Sequence, residues 1–348
     1  MHYSSFENTG LQVPPIVYGT SFLGNLYRDI GWDLKLEIIK KWFEAGDSMV
    51  VIDTAGKYGA GLALEVIGKG LSELKIPTEN IVISNKLGWY RVPLKTKEPT
   101  FEPGAWASLQ YDANQRINKE GILECWKQGN ELLGATYTSQ LISVHDPDEY
   151  LAAANSKEDR ITRKKDIIDA YSSLFELKSI GEVKAVGIGA KDWHIIRELY
   201  NEIPFDWVML ANSLTIYRHP QELLEFIGRL HQDGVGIINS AIFNAGFLTG
   251  GAYFDYRLID PTLEEDQHRL DWRAGFFKTC QEFDVEPGDA CLYYSLAPKE
   301  VQAVALNPSK PERIVRNKQI LNKKLPSEFW LKLKSEGIIN HIFPSLIK

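Results

Sequence analysis

The chain has 348 residues, 44% of them hydrophobic and 24% charged, with a net charge of −7. That is enough for one large α/β domain or two ordinary ones, and the acidic balance without a long Lys/Arg block argues against nucleic acid or an anionic membrane surface as partner. No run of about 18 apolar residues reads as a membrane span, the opening Met1-His2-Tyr3-Ser4 lacks the basic-then-apolar order of a signal peptide, and Cys125, Cys280 and Cys291 form no C-x-x-C pair, which fits free thiols in a reducing, cytoplasmic setting.

Val13-Pro14-Pro15-Ile16-Val17-Tyr18 predicts a first strand, running into a Gly-bounded loop at 19–25. Residues 33–46 carry apolar side chains at helical spacing, with Gly46 as the stop. The β-branched run Val50-Val51-Ile52 reads as a buried strand that breaks at Asp53-Thr54-Ala55-Gly56-Lys57-Tyr58-Gly59. A helix at 61–74 and a strand at 81–86, ending in Lys86, come next. Residues 88–118 keep no period and carry Pro93, Pro99, Pro103 and several aromatics, which predicts a lid-like insertion over a site. A helix at 119–133 then leads to a strand at 140–145 ending in His145. The remainder predicts helices at 166–180, 192–201, 220–232, 265–284 and 287–297, strands at 183–189, 205–211, 235–240 and 301–306, and a last helix opened by Pro311.

Strands and helices alternate without a compositional break, which predicts a single domain over 1–348 with a parallel sheet. Eight such units predict a (β/α)8 TIM barrel, whose active sites sit at the C-terminal ends of the strands. The other common signatures are missing. Gly187-x-Gly189, Gly59-x-Gly61 and Gly68-x-Gly70 lack the third glycine of the dinucleotide fingerprint, and neither a phosphate-binding G-x-x-x-x-G-K-[ST] nor a G-x-S-x-G elbow occurs. The histidines are scattered without metal-ligand spacing, so no metal is expected.

Asp53, Lys86 and His145 fall at three consecutive strand mouths, and Tyr58 lies just past the first. Singly, such residues are more often a cap, a wall residue, a solvated lysine and a structural histidine. Together they are what metal-free proton transfer at a carbonyl or alcohol needs. A phenol titrates near 10. A neighbouring ammonium lowers that value, a carboxylate behind it keeps the ammonium charged and oriented, and a neutral imidazole donates to the substrate oxygen.

Asp53-Thr54-Ala55-x-x-Tyr58-Gly59 with Gly68, Lys86, His145, Gly181-Glu182-Val183-Lys184-Ala185-Val186-Gly187-Ile188, and Pro311-Glu312-Arg313-Ile314-x-x-Asn317 resemble, in order and spacing, the motifs of the aldo-keto reductases over about residues 8–320. The resemblance implies a (β/α)8 barrel that binds an extended nicotinamide cofactor, with Tyr58, Lys86, Asp53 and His145 as its catalytic tetrad. It implies cofactor contacts from Gly19, Thr20, Ser21, Asp53, Gly189, Asn212, Ser240, Ile242, Asn244, Asn307, Ser309, Arg313 and Asn317. Gly189-Ala190 stands where the family has a Ser-Asn pair, Asn239 where it has an aromatic, and Leu64, next to Glu65, where it has a Glu. His145-Asp146-Pro147-Asp148, the 18–26 segment and the 234–248 segment resemble the sugar-oxidising branch, the D-threo-aldose 1-dehydrogenases, also called L-fucose or galactose dehydrogenases.

The expectation is a cytoplasmic NAD(P)-dependent oxidoreductase that oxidises the C1 hydroxyl of an aldopyranose to the lactone, with Tyr27, Trp89, Trp106 and Tyr111 shaping the sugar pocket. NAD is favoured over NADP because Asn307 stands where 2′-phosphate-selecting members carry a Lys, although Arg313 matches. The alternatives are an NADPH-dependent aldehyde or ketone reductase, and a cofactor-sensing regulatory subunit. Which sugar or carbonyl compound is the substrate, and the oligomeric state, do not follow from the sequence.

Overall fold

The computed structural model describes residues 3–6, 9–44 and 49–347. Proline has no N–H to give a ladder, and Pro14-Pro15 accordingly divides the first apolar run. β1 (Ser4–Phe6) and β2 (Leu11–Val13) form an antiparallel hairpin, and β3 (Ile16–Gly19) is separate. α1 (Trp32–Glu44) buries Ile38, Ile39 and Trp42; Gly46, its expected stop, lies outside the described residues. β4 (Val50–Ala55), α2 (Leu62–Glu73) and β5 (Ile81–Leu87) follow.

The segment at 88–118 is not a structureless loop. β6 (Trp89–Pro93) and β7 (Tyr111–Gln115) pair antiparallel within it, and Arg91 ties the hairpin to the barrel by bonding Glu65 at 2.7 and 2.9 Å and the Ala60 carbonyl at 2.6 Å. Then come α3 (Lys119–Leu133), β8 (Leu141–His145), a short α4 (Pro147–Ala152) and α5 (Lys157–Ser179). α5 starts nine residues before the expected 166. Its first half is charged and lacks an apolar stripe; Ser156 caps it by accepting the Asp159 N–H at 3.1 Å. β9 (Ala185–Ala190), α6 (Trp193–Tyr200), β10 (Trp207–Ala211), α7 (Gln221–Gln232) and β11 (Gly236–Ser240) continue the alternation. After the small hairpin of β12 (Tyr253–Phe254) and β13 (Arg257–Leu258) come α8 (Glu264–Glu282), α9 (Pro287–Leu296), β14 (Ala303–Leu306), α10 (Pro311–Ile320) and α11 (Ser327–Ser335).

β3, β4, β5, β8, β9, β10, β11 and β14 close in that order into a barrel of eight parallel strands. Alternate side chains point inward. Val17, Val51, Val82, Leu141, Trp207, Met209 and Ile238 fill the interior, and Phe6, Leu11 and Val13 of the first hairpin join them from the N-terminal end. Gly187 leaves room for the Trp207 indole, which lies 2.2 Å from where a β-carbon would stand. The same inward parity, carried on from Val51, Val82 and Leu141, delivers Asp53, Lys86 and His145 to the C-terminal mouth. Outward residues pack under helices: Ile52 and Ile83 among those of α1 and α2, Ile142 and Val186 among those of α5 and α6.

Candidate active site

Asp53 of β4 pairs in register with Ser84 of β5, so Lys86, two residues on and on the same face, reaches back over it. The Lys86 ammonium is ion-paired with Asp53 Oδ2 and lies 3.4 Å from the Thr54 carbonyl, while Ser84 Oγ donates to Asp53 Oδ1 at 3.3 Å. Both partners are buried, Asp53 at 4% and Lys86 at 5% exposure, so the pair is shielded from solvent screening.

Tyr58 is placed by the loop after β4. That loop touches the loop after β3 through two glycines. A β-carbon on Gly59, at φ +63°, would stand 2.3 Å from the Gly24 carbonyl oxygen, and one on Gly24 would stand 2.8 Å from the Tyr58 carbonyl. The Lys86 ammonium lies 5.0 Å from the centroid of the Tyr58 ring, and the His145 imidazole meets that ring edge-on at 5.6 Å. The four residues expected at three strand mouths therefore converge.

The electrostatics differ from the sequence expectation in one respect. Burial, then the carboxylates of Asp53 and Asp146, push the Tyr58 phenol well above its usual 10. Lys57 is the cation that opposes the rise, while the Lys86 charge is paired with Asp53. His145 is held well below its usual 6.5, first by burial and then by Lys57 and Lys86, so the imidazole is neutral. Its Nε2 lies 3.4 Å from Asp146, and its buried Nδ1 has no partner among the described residues.

Sequence reasoning missed a charged ring around this group. Lys57, 3% exposed, meets Glu102 at 2.7 Å, Asp146 at 3.3 Å and Glu149 at 3.5 Å. Lys191 pairs with Glu149 and lies 5.2 Å from the ring of Tyr256, at the tip of the β12–β13 hairpin. The position of Lys57 and Asp146 next to Tyr58 and His145 was the available signal.

Of the four aromatics expected around a sugar, Trp106 packs on Tyr58, at 6.0 Å between ring centroids. Trp89 stands one layer back, against Phe101 at 5.7 Å and near Lys57. Tyr27 is 61% exposed, its backbone N–H bonded to Ala105. Tyr111 is 41% exposed and stacks on the Arg91 guanidinium rather than on Tyr58.

The residues expected to hold a cofactor line the same barrel end. Asn307 donates its amide to Ser21 Oγ, and a β-carbon on Gly19 would stand 3.2 Å from Asn307 Cβ. Thr20 Oγ1 donates to the Asp53 carbonyl at 2.9 Å. Gly189 faces the Lys86 stem. Asn212 donates its N–H to the Ser240 carbonyl at 3.1 Å, Ser240 Oγ donates to Leu210 at 3.2 Å, and the Asn244 amide donates to Asp255 at 2.8 Å. The side-chain oxygens of Asn212 and Asn244 are buried without a partner among the described residues, as acceptors awaiting an amide or hydroxyl donor. Ile242 is fully buried in the core and presents no exposed surface to a ligand. Asn307 and Arg313 are exposed, Ser309 and Asn317 half-buried, around the N-terminal turns of α10. Asn239 is no stand-in for a stacking aromatic. It lies outward on β11 and gives its amide to the carbonyls of Leu214 at 2.7 Å and Ser295 at 3.4 Å.

Among the described residues no cluster of His, Cys, Asp or Glu is arranged for a metal ion, and no helix is long and apolar enough to cross a membrane.

An eight-stranded parallel barrel with an Asp, Tyr, Lys and His converging at its C-terminal mouth is the architecture of an oxidoreductase class, and comparison with known proteins assigns it. The Aldo/keto reductase family model matches residues 15–337, and the chain belongs to that family. Members use nicotinamide cofactors. The chain is 25% identical to pyridoxal 4-dehydrogenase of Microbacterium luteolum, covering 98% of this chain and all of the relative. It is 24% identical to D-threo-aldose 1-dehydrogenase of a Pseudomonas species, over 95% and 96% of the two chains. It is 22% identical to L-galactose dehydrogenase of Arabidopsis thaliana, over 89% and 85%. The fold matches that of an aldo-keto reductase from Bacillus halodurans in its holo form, with a TM-score of 0.69 at 18% identity over the whole of both chains.

Proposed function

We propose that the chain is an NAD(P)-dependent aldose 1-dehydrogenase that oxidises the C1 hydroxyl of an aldopyranose to the lactone, with NAD⁺ preferred. The observation that carries this reading is the convergence of the Tyr58 phenol, the neutral His145 imidazole and the Lys86–Asp53 pair beneath the Trp106 ring. Two of the relatives are named for dehydrogenation of aldoses, which supports it further.

The residues fit a nicotinamide dinucleotide. The unpartnered oxygens of Asn212 and Asn244 offer acceptors, and Gly19, Ser21, Asn307, Ser309, Arg313 and Asn317 offer a polar groove. When bound, the oxidised nicotinamide supplies the hydride acceptor and a positive charge. The protein's part is proton transfer and orientation. His145 fixes the C1 oxygen by an imidazole N–H, Tyr58 acts as the phenolate that takes the hydroxyl proton and becomes the phenol, and the Lys86 ammonium, ion-paired with Asp53 and 5.0 Å from the Tyr58 ring, is a cation that favours that phenolate before the transfer. Trp106 gives an apolar face to the C–H side of a pyranose.

The second reading is a carbonyl reductase. It is favoured by the phenol being pushed well above 10, since a protonated Tyr58 is already the acid that carbonyl reduction needs. One assay separates the two. Aldopyranoses, including L-fucose, D-arabinose and L-galactose, are offered with NAD⁺ and NADP⁺, pyridoxal being added because of the relative that carries its name. Aldehydes and ketones are offered with NADH and NADPH. Aldose turnover supports the dehydrogenase; turnover confined to carbonyl reduction overturns it.

A further inference from the structure

Lys57 is the buried cation beside Tyr58 that the proposed reaction does not use. Its three carboxylate partners come from two segments: Asp146 and Glu149 from the start of α4, and Glu102 from the insertion between β5 and α3. One Glu102 oxygen faces the Lys57 ammonium at 2.7 Å; the other accepts the Trp106 indole N–H at 2.7 Å. Trp106 in turn packs on Tyr58. Glu102 makes this bridge from a left-handed backbone, φ +45°, a conformation that a residue with a β-carbon keeps only where its surroundings impose it. The backbone beside it is zipped to the loop after β3: Tyr27 N–H to Ala105 at 2.7 Å, Ala107 N–H to Asn25 at 3.0 Å, and the Asn25 amide to Ala107 at 3.2 Å.

We propose that Lys57 is a positioning residue. Through Glu102 it fixes the Trp106 indole over the Tyr58 phenol, and this latch sets the preference for a substrate with an apolar ring face over an open-chain one. The inference rests on the oxidoreductase reading above. Lys57 is anchored from the barrel side by Asp146 and Glu149, so the insertion's carboxylate is drawn to a fixed point. Without that cation the half-exposed Glu102 (36%) turns to solvent, and the indole loses its acceptor. A flat ring held against the phenol rewards a pyranose face. A linear aldehyde gains little from it, so its turnover depends little on the latch.

The test uses Glu102→Gln, Trp106→Phe, their combination, and Lys57→Met. Glu102→Gln keeps an oxygen for the indole and removes the ion pair; Trp106→Phe keeps a ring and removes the N–H. Each is expected to raise the aldopyranose KM by about tenfold, while KM for a short aliphatic aldehyde and nicotinamide affinity stay within about twofold. The double variant is expected within about twofold of the worse single one, because both act through one wall. Independently of any substrate, hydrogen exchange at the Tyr27 and Ala107 amides, the N–H donors of the zipper, is expected to speed up in Glu102→Gln and Lys57→Met. Multiplying effects in the double variant, equal losses on ring and linear substrates, or unchanged exchange at both amides overturn the latch. If wild-type protein turns over none of these compounds yet the amides respond as expected, the reaction assignment fails and the latch itself is supported.

Discussion

Removing the cation from the buried pair separates stability from chemistry. In Lys86→Met the Asp53 carboxylate, 4% exposed, keeps, among the described residues, the Ser84 hydroxyl at 3.3 Å as its side-chain partner. Breaking a buried ion pair by deleting one partner costs about 3–5 kcal/mol, mostly the uncompensated charge left behind. With an unfolding entropy of about 2.1 cal/mol/K per residue, a chain of 348 residues loses ~0.7 kcal/mol per degree near its midpoint. The expected fall in Tm is then about 4–7 °C. Asp53→Asn in the same chain removes the orphaned charge and keeps an acceptor for Ser84. Lys86→Met with Asp53→Asn should therefore be more stable than Lys86→Met alone, by at least about 2 °C, while turnover stays lost in both. Differential scanning fluorimetry with a parallel activity assay reads both quantities. A Lys86→Met protein within about 1 °C of wild type, or a double variant whose loss is the sum of the two singles, refutes the reasoning.

Tyr58→Phe keeps the ring that Trp106 and His145 pack on, and is expected to cut turnover by about 10²–10⁴ while nicotinamide binding, read by titration calorimetry, survives; a variant within tenfold of wild type would show that Tyr58 is not the proton carrier. His145 is held below its unfolded value near 6.5, so protonation favours the unfolded chain. Its contribution to stability is full above about pH 6.5 and is lost as the pH falls toward the folded value. His145→Gln should flatten the fall in Tm between about pH 7 and about pH 5, and an unchanged slope counts against the assignment. Asn307→Lys adds a cation beside Ser21 and near the exposed Arg313, and is expected to narrow a preference for NAD⁺ over NADP⁺ in kcat/KM by about fivefold or more; a tenfold NADP⁺ preference in the wild type would refute the premise.

The strand ends were legible because two simple signals coincide there. A continuous β-branched run marks a strand buried on both faces, and a Gly- or Pro-bearing break fixes where the run stops. Asp53, Lys86 and His145 satisfy both, and the register of β4, β5 and β8 brings them together. The insertion was not legible for the opposite reason. Trp89, Tyr90, Arg91 and Val92 are all half-buried, so β6 has no dry face to write an alternating pattern. What holds it is distant: Glu65, Ala60 and Gln128 all bond Arg91. The first half of α5 is similar, since it rests on the Ser156 cap and on ion pairs such as Arg160–Glu198 rather than on an apolar stripe; Ser156 followed by Asp159 was the readable trace.

Lys57 marks the limit of reading residues one at a time. A lysine between two glycine-bearing turns reads as solvated, and only the fold brings Glu102, Asp146 and Glu149 around it. That arrangement also changes the chemistry expected of Tyr58. Both cations near the phenol, Lys86 and Lys57, are answered by carboxylates, and Asp53 and Asp146 themselves favour the protonated form. Burial first, and then these carboxylates, therefore keep the phenol protonated against the opposing charge of Lys57. Under the proposed sugar oxidation, proton uptake by Tyr58 would be favoured by the positive charge that an oxidised nicotinamide brings and a reduced one does not. The same side chains would then serve as acid with one redox form of the cofactor and as base with the other. On that proposal, the redox form of the nucleotide in the groove from Ser21 to Arg313 would set which of the two roles the phenol plays.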